Sequence, residues 1–197
     1  MVLLPPPRRY LFDTEALMTL AVHPETFSLA RDHFGAMAGT VRMVSRELSR
    51  RRSIPDASSG IAARALENMD WLGVPDEATD PLEIDEIVRV QGLVSGGRGL
   101  IHPSQHLGEA TLIVVAKRGG DVVVTNDYDA RIIANAEGVT ARSIPRLLHE
   151  MIRSGAIDAD YAESYCREVR NAHRGPDITA AELRIGGRKA IGRLWEP

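Results

Sequence analysis

Apolar residues recur along this chain in two rhythms, short continuous runs and stripes at helical spacing, and their alternation predicts strands interleaved with helices. Residues 9–12 read as a short strand closed by Asp13, and Thr14 caps a helix running through residue 21. Pro24 starts another helix, with Phe27, Ala30, Phe34 and Met37 at helical spacing until Gly39 breaks it. Residues 40–44 form the second strand, Ser45 caps a helix carrying Glu47, and Pro55 ends that helix. A helix over 58–71 places Ile61, Ala65, Leu66 and Met69 on one face. A weak strand at 82–84 precedes a helix over 85–94, and the glycine-rich residues 95–99 form a flexible loop.

Ser104 caps a helix over 105–118, whose Leu107, Ala110, Thr111, Val114 and Val115 make an apolar stripe. Gly119 and Gly120 turn the chain into the clearest strand, 121–125. A helix over 128–136 ends at Gly138, a short strand covers 139–141, and Ser143 caps a helix that Gly155 terminates. Asp158 caps one more helix, to about residue 172. Such alternation predicts an α/β fold, a parallel sheet flanked by helices on both faces. There is no internal repeat; residues 174–197 are rich in glycine and arginine.

At 197 residues, with 44% hydrophobic and 26% charged content, the chain matches a soluble globular protein able to bury a full core. Its longest apolar stretch, 112–116, is far too short to span a bilayer, and the proline-rich start leaves no room for a signal peptide, so no membrane and a cytoplasmic location are expected. The single cysteine, Cys166, excludes an internal disulfide and falls on a predicted helix as a core or half-buried residue. The formal net charge of -3 does not advertise nucleic-acid binding, but it hides an asymmetry. Arg46, Arg50, Arg51 and Arg52 cluster beside Glu47, and Arg174, Arg184, Arg188, Lys189 and Arg193 make the C-terminal tail basic. Arginine grips phosphate bidentately, which suits RNA, although basic residues at a helix C-terminus also answer the helix dipole.

Acidic residues stand where predicted strands end or helices begin: Asp13, Glu47, Glu109, Asp127 and Asp129. Ligands of a parallel α/β sheet bind outside the carboxyl ends of its strands, so these acids can converge on one crevice. Repulsion and desolvation make such a cluster costly, and a divalent cation relieves both. Each acid also has an ordinary reading: Asp13 leads into a helix, Asp127 caps one, and Glu47 is an exposed residue of its helix. Glu15, Asp85 and Asp121 read as solvent-facing charge.

The segments 11–17, 46–48, 106–110 and 123–131 carry, in order, Leu11-Phe12-Asp13-Thr14-Glu15-Ala16-Leu17, Arg46-Glu47-Leu48, His106-Leu107-Gly108-Glu109-Ala110 and Val123-Val124-Thr125-Asn126-Asp127-Tyr128-Asp129-Ala130-Arg131. This succession resembles the motifs of the PIN domain family, metal-dependent nucleases that include bacterial toxin ribonucleases. The resemblance covers roughly residues 8–158, so residues 1–158 are expected to form a PIN-like nuclease domain, and 159–197 a helix and basic tail extending it. It implies a PIN-like doubly wound parallel sheet, one or two Mg²⁺ or Mn²⁺ ions, and hydrolysis of RNA to 5′-phosphate and 3′-hydroxyl ends.

Asp13, Glu47, Glu109 and Asp127 match the family's acidic quartet, and Asp129 matches an additional acid. On that resemblance Asp13, Glu109 and Asp127 are expected to bind the main metal, and Asp129 to assist a second ion or a metal-bound water. Glu47 is expected to orient or deprotonate the attacking water. Thr14, Thr125 and Asn126 are placed to hydrogen-bond a ligand carboxylate or a substrate phosphate, with Arg46 and Arg50 nearby for RNA. A toxin of this kind is expected to have an antitoxin partner that blocks the crevice, and many family members are homodimers.

Other chemistries fit less well. His102 and His106 have a helical zinc-ligand spacing, but Pro103 and Ser104 put His102 ahead of the helix. His106 reads as an ordinary loop histidine or a substrate contact. The Gly96-Gly97-Arg98-Gly99 stretch lacks the Lys-Ser/Thr of a P-loop. A dehalogenase-like phosphatase would need a second Asp where Glu15 stands. The principal alternative is a catalytically idle PIN-like module that binds nucleic acid or protein and uses its acids only for structure.

Overall fold

The computed structural model describes residues 8–97, 102–172 and 179–185. The chain enters β1 (Tyr10–Phe12), passes through α1 (Thr14–Leu20) and α2 (Pro24–Phe34), and returns as β2 (Ala38–Gly39). Four helices follow: α3 (Arg42–Arg52), α4 (Ser59–Glu67), α5 (Pro81–Val94) and α6 (Leu107–Gly119). The last section is β3 (Val122–Val124), α7 (Tyr128–Ala136), β4 (Ala141–Arg142), α8 (Ile144–Arg153), α9 (Ala159–Asn171) and α10 (Ala180–Ile185). The strands form one sheet in the order β2-β1-β3-β4. Every pairing is parallel.

That order makes the chain step outward from β1 to β2, then cross back to the other side of β1 as β3. The strand order therefore reverses between β1 and β3, where parallel sheets open a crevice at their carboxyl ends. Leu11, Phe12 and all of Val122-Val123-Val124 are buried, as expected of strands covered on both faces. Gly39 leaves room for Leu11 across the β1–β2 pair: a Cβ there would lie 2.9 Å from Leu11 Cδ2, so the buried leucine would have to shift.

Several boundaries differ from the sequence reading. Asp13, not Thr14, caps α1. α2 ends at Gly35, whose φ of 46° is left-handed, rather than at Gly39. The second strand is only Ala38–Gly39, and the expected strand 40–44 is instead the lead-in and first turn of α3. Val44 and Leu48, four residues apart, bury one helical face there, so the apolar run obeys the helical period rather than the strand period. The expected strand 82–84 is the first turn of α5: the Asp80 side chain accepts from the Leu82 amide and Pro81 takes the first position. Leu82 and Ile84 are exposed, so burial gives them no reason to form a strand.

The helix expected over 58–71 stops at Glu67 and continues as a 3₁₀ turn at Met69–Leu72. There Trp71 packs edge-on against Phe12 and Phe27. α6 begins at Leu107, so Ser104 lies in the preceding loop and caps nothing. β4 begins two residues later than expected and ends one later. Asp121 is not solvent-facing charge: it is buried and receives the Arg9 amide at 3.0 Å and its guanidinium at 2.8 Å.

α9 belongs to the same apolar core as the sheet, through Tyr165, Cys166 and Val169. The Tyr165 hydroxyl donates to the Thr19 carbonyl at 2.7 Å, tying α9 to α1. α10 packs on α8 and α9, with the Leu183 carbonyl 2.7 Å from His149 Nδ1 and Arg184 paired to Asp160 at 3.0 Å. Most of the basic tail, including Arg174, Arg188, Lys189 and Arg193, lies outside the described residues, as do residues 98–101 of the glycine-rich loop. Among the described residues, no helix is long and apolar enough to cross a membrane.

Candidate metal centre and its cleft

Asp13 stands at the end of the central strand. Its amide donates to the Val124 carbonyl at 3.0 Å, which carries the β1–β3 ladder one step further. Its Oδ1 accepts from the Ala16 amide, which caps α1 and directs the carboxylate inward; the residue is 3% exposed. Burial pushes its pKa well above the ordinary carboxylate range, and the charges of Glu109 and Glu15 add to the rise. Hydrogen bonds from the Thr125 hydroxyl and the Ala16 amide oppose it without cancelling it.

Asp127 occupies the equivalent place after β3. It caps α7 through Oδ1, which accepts from the Ala130 amide at 2.9 Å, while its own amide donates to Thr125 Oγ1 at 3.0 Å. Thr125 thus touches both aspartates across the reversal of strand order. Glu109 comes from the first turn of α6, with its pKa raised first by burial and then by the charges of Glu47 and Asp127, against the opposing effect of His106. Glu109 thereby stands within electrostatic reach of Asp13, Glu47 and Asp127.

Donor atoms of His106, Glu109 and Asp127 lie within 4.8 Å of one another, and this group could hold a metal ion. Asp13 is not in that trio, and Asp129 is exposed on the first turn of α7 outside it. Sequence reasoning gave His106 no ligand role. Its backbone lies in the left-handed region, at φ 57° and ψ 12°, and among the described residues it is the only non-glycine with positive φ. The loop before it is clamped to α5: the buried Gln91 amide donates to the carbonyls of Pro103 at 2.9 Å and Gln105 at 2.5 Å. A clamp made by a residue on another helix leaves no local signal in the sequence around His106.

Glu47 is positioned from two directions. Thr14 Oγ1 donates to Glu47 Oε2 at 2.7 Å, and Arg51, one turn further along α3, lies 3.5 Å from Oε1 while also pairing with Glu15 at 3.0 Å. Gly108 of α6 lies against Glu47: a Cβ there would sit 3.4 Å from Oε2, in van der Waals contact. Beside these acids is a cleft of about 410 Å³ lined by Glu47, Arg50, Arg51, His102, Ser104, Gln105, His106 and Glu109. A second hollow of about 290 Å³ adjoins it and adds Met43, Arg46 and Gly108. Arg50 Nη1 donates to Ser104 Oγ at 3.2 Å across the mouth, and Arg46 is exposed on its rim. Thus Arg50 and Arg51 share one opening with Glu47 and Glu109, whereas Asp13 and Asp127 are not among its lining residues.

Three hydroxyl and amide residues expected to serve ligand or substrate are committed to the protein. Thr14 holds Glu47, Thr125 links the two aspartates, and Asn126 donates to Thr19 Oγ1 at 3.2 Å while accepting the Ile144 amide at 3.0 Å. Thr14 and Thr125 thus fix carboxylates, while Asn126 ties α1 to the start of α8. Arg131, noted in the sequence only as the last residue of a motif, is fully buried beneath the acids. Its Nη1 donates to the Thr125 carbonyl at 3.0 Å, its guanidinium lies 5.8 Å from the Tyr128 ring centre, and Asp127 and Asp13 stabilise its charge against burial.

The donor set suits a divalent cation: Glu109 held in unfavourable burial, Asp127 within ligand distance of it, and the imidazole of His106 beside them. Comparison of the chain with protein-family models, with curated proteins and with solved structures finds no match.

Proposed function

We propose that the protein is a PIN-like, Mg²⁺- or Mn²⁺-dependent endoribonuclease. The observation that carries the reading is the meeting of Asp13, Glu47, Glu109 and Asp127 where the strand order reverses, with Asp13 and Glu109 held above the ordinary carboxylate range. Acids left without sufficient compensation favour a bound cation. A divalent ion supplies charge neutralisation to a phosphodiester and lowers the pKa of water.

The chain's own residues account for the remaining tasks. Glu109 and Asp127 would hold the cation, with Asp13 behind them, and Asp129, exposed on the first turn of α7, would assist a second one. Glu47, steadied by Thr14 and Arg51, accepts a proton from the attacking water as its oxygen bonds to phosphorus. The bond from phosphorus to the 3′ oxygen breaks and that oxygen takes a proton from solvent water, giving a 5′-phosphate and a 3′-hydroxyl. Arg46 and Arg50 on the cleft rim hold flanking phosphates. The motif resemblance extends the proposal to the toxin half of a toxin–antitoxin pair, with an antitoxin cation entering the acid set, and to a homodimer.

A second reading has its own support. Asp13 and Asp127 both cap helices, which is a structural use for two of the acids in an idle module. The two readings separate when purified protein is incubated with single-stranded RNA and Mn²⁺, with and without chelator. Cleavage abolished by chelator supports the nuclease; chelator-insensitive cleavage, or none across diverse RNAs including tRNA and rRNA, contradicts it.

A further inference from the structure

We infer that His106 is a ligand of the same ion as Glu109 and Asp127, so that the site prefers imidazole-binding transition ions to Mg²⁺. The inference rests on the metal-site reading above and deepens it. The resemblance pointed to an all-carboxylate set centred on Asp13, Glu109 and Asp127. The geometry substitutes an imidazole for one carboxylate: His106, Glu109 and Asp127 have their donor atoms within 4.8 Å, whereas Asp13 is nearly fully buried, with Oδ1 given to the Ala16 amide.

Two further features bear on His106. Its left-handed backbone is unfavourable for a residue with a side chain, and such a conformation persists only where surrounding structure enforces it. The buried Gln91 amide enforces it by fixing the carbonyls on either side of Ser104. In addition, Gln105 Nε2 lies 3.2 Å from His106 Nε2; an amide nitrogen only donates, so the carboxamide would turn to present its oxygen to the Nε2 proton when Nδ1 binds an ion, the outer-partner arrangement of metal-binding histidines.

The consequence is selectivity. Mg²⁺ prefers oxygen ligands and keeps its waters, and gains little from an imidazole. First-row transition ions gain from nitrogen ligation, increasingly from Mn²⁺ to Co²⁺. The site is therefore expected to bind Co²⁺ most tightly of the three, then Mn²⁺, then Mg²⁺.

The test is calorimetric titration of the full chain, without RNA, with each of these three ions. His106→Asn is the variant of choice, because asparagine tolerates the left-handed backbone while removing the imidazole. Its melting temperature in chelator establishes that the fold is retained. Co²⁺ affinity should fall roughly tenfold or more in the variant, Mn²⁺ affinity by less, and Mg²⁺ affinity by no more than about twofold. Equal losses for all three ions, or no loss for any, would overturn the role of His106 while leaving a carboxylate site intact. Failure of every ion to bind the parent would instead overturn the metal-site reading itself.

Discussion

The Thr14 hydroxyl donates to Glu47 Oε2 at 2.7 Å, so the first residue of α1 holds a carboxylate that belongs to α3. The bond aims Glu47 at the cleft rather than leaving it along the helix surface. Thr14→Val keeps the shape and removes the donor. RNA cleavage should then slow about tenfold, equivalent to ~1.4 kcal/mol of transition-state stabilisation, with Thr14→Ser restoring most of it. A Thr14→Val protein cleaving at the parental rate would deny Glu47 its proposed role.

Asp13 makes the metal-free protein sensitive to pH in a definite direction. Its folded pKa is raised by burial and by Glu109 and Glu15, so the folded state holds this proton more tightly than the unfolded chain does. The resulting stabilisation is fully present below about pH 4, the ordinary carboxylate value, and is lost as pH rises through the folded value. Asp13→Asn removes the titration and keeps an oxygen for the Ala16 amide. Between pH 4 and pH 7 in chelator, the parent's melting temperature should fall relative to that of the variant, leaving the variant the more stable at neutral pH. Parallel curves would contradict the assignment.

How much of this was legible in the sequence depends on where each determinant lies. α7 falls on residues 128–136 as expected, and Ser143 and Asp158 cap α8 and α9, because an Asp or Ser before an amphipathic run is a local signal. The four acids could be picked out because each sits at a strand end or in the first turns of a helix. The strands expected at 40–44 and 82–84 failed because short apolar runs suit either period, and pairing partners decide between them. His106 was underestimated because its conformation is imposed by Gln91 on α5. The partners of Thr14, Thr125 and Asn126 are set by tertiary packing that no spacing reveals.

Gln91 offers a test of that clamp. Gln91→Leu removes both bonds to the 103–105 backbone in a buried setting, which should destabilise the protein by about 2 kcal/mol. Amide hydrogen exchange should accelerate around Ser104 to Leu107 more than in β1 or β3. Unchanged exchange in that segment would show that the loop is held by other contacts.

Arg131 gives the acid set a fixed internal cation, stacked near Tyr128 and bonded to the Thr125 carbonyl. Arg131→Met leaves the aspartates above it without that charge, and urea denaturation should report a loss of about 3 kcal/mol. A loss below ~0.5 kcal/mol would show that the buried guanidinium contributes nothing to holding the acids together.

The central claim is that these carboxylates serve phosphodiester hydrolysis and not only helix capping. The most direct measurement is the rate at which Asp127→Asn cleaves RNA in Mn²⁺, compared with the parent at matched folded concentration. Asparagine still accepts the Ala130 amide, so the cap of α7 survives while the negative charge is lost. The account predicts a rate at least about 100-fold lower, the scale of losing a ~2.7 kcal/mol transition-state contribution, with the helical circular dichroism signal unchanged. Cleavage by Asp127→Asn at the parental rate would contradict it.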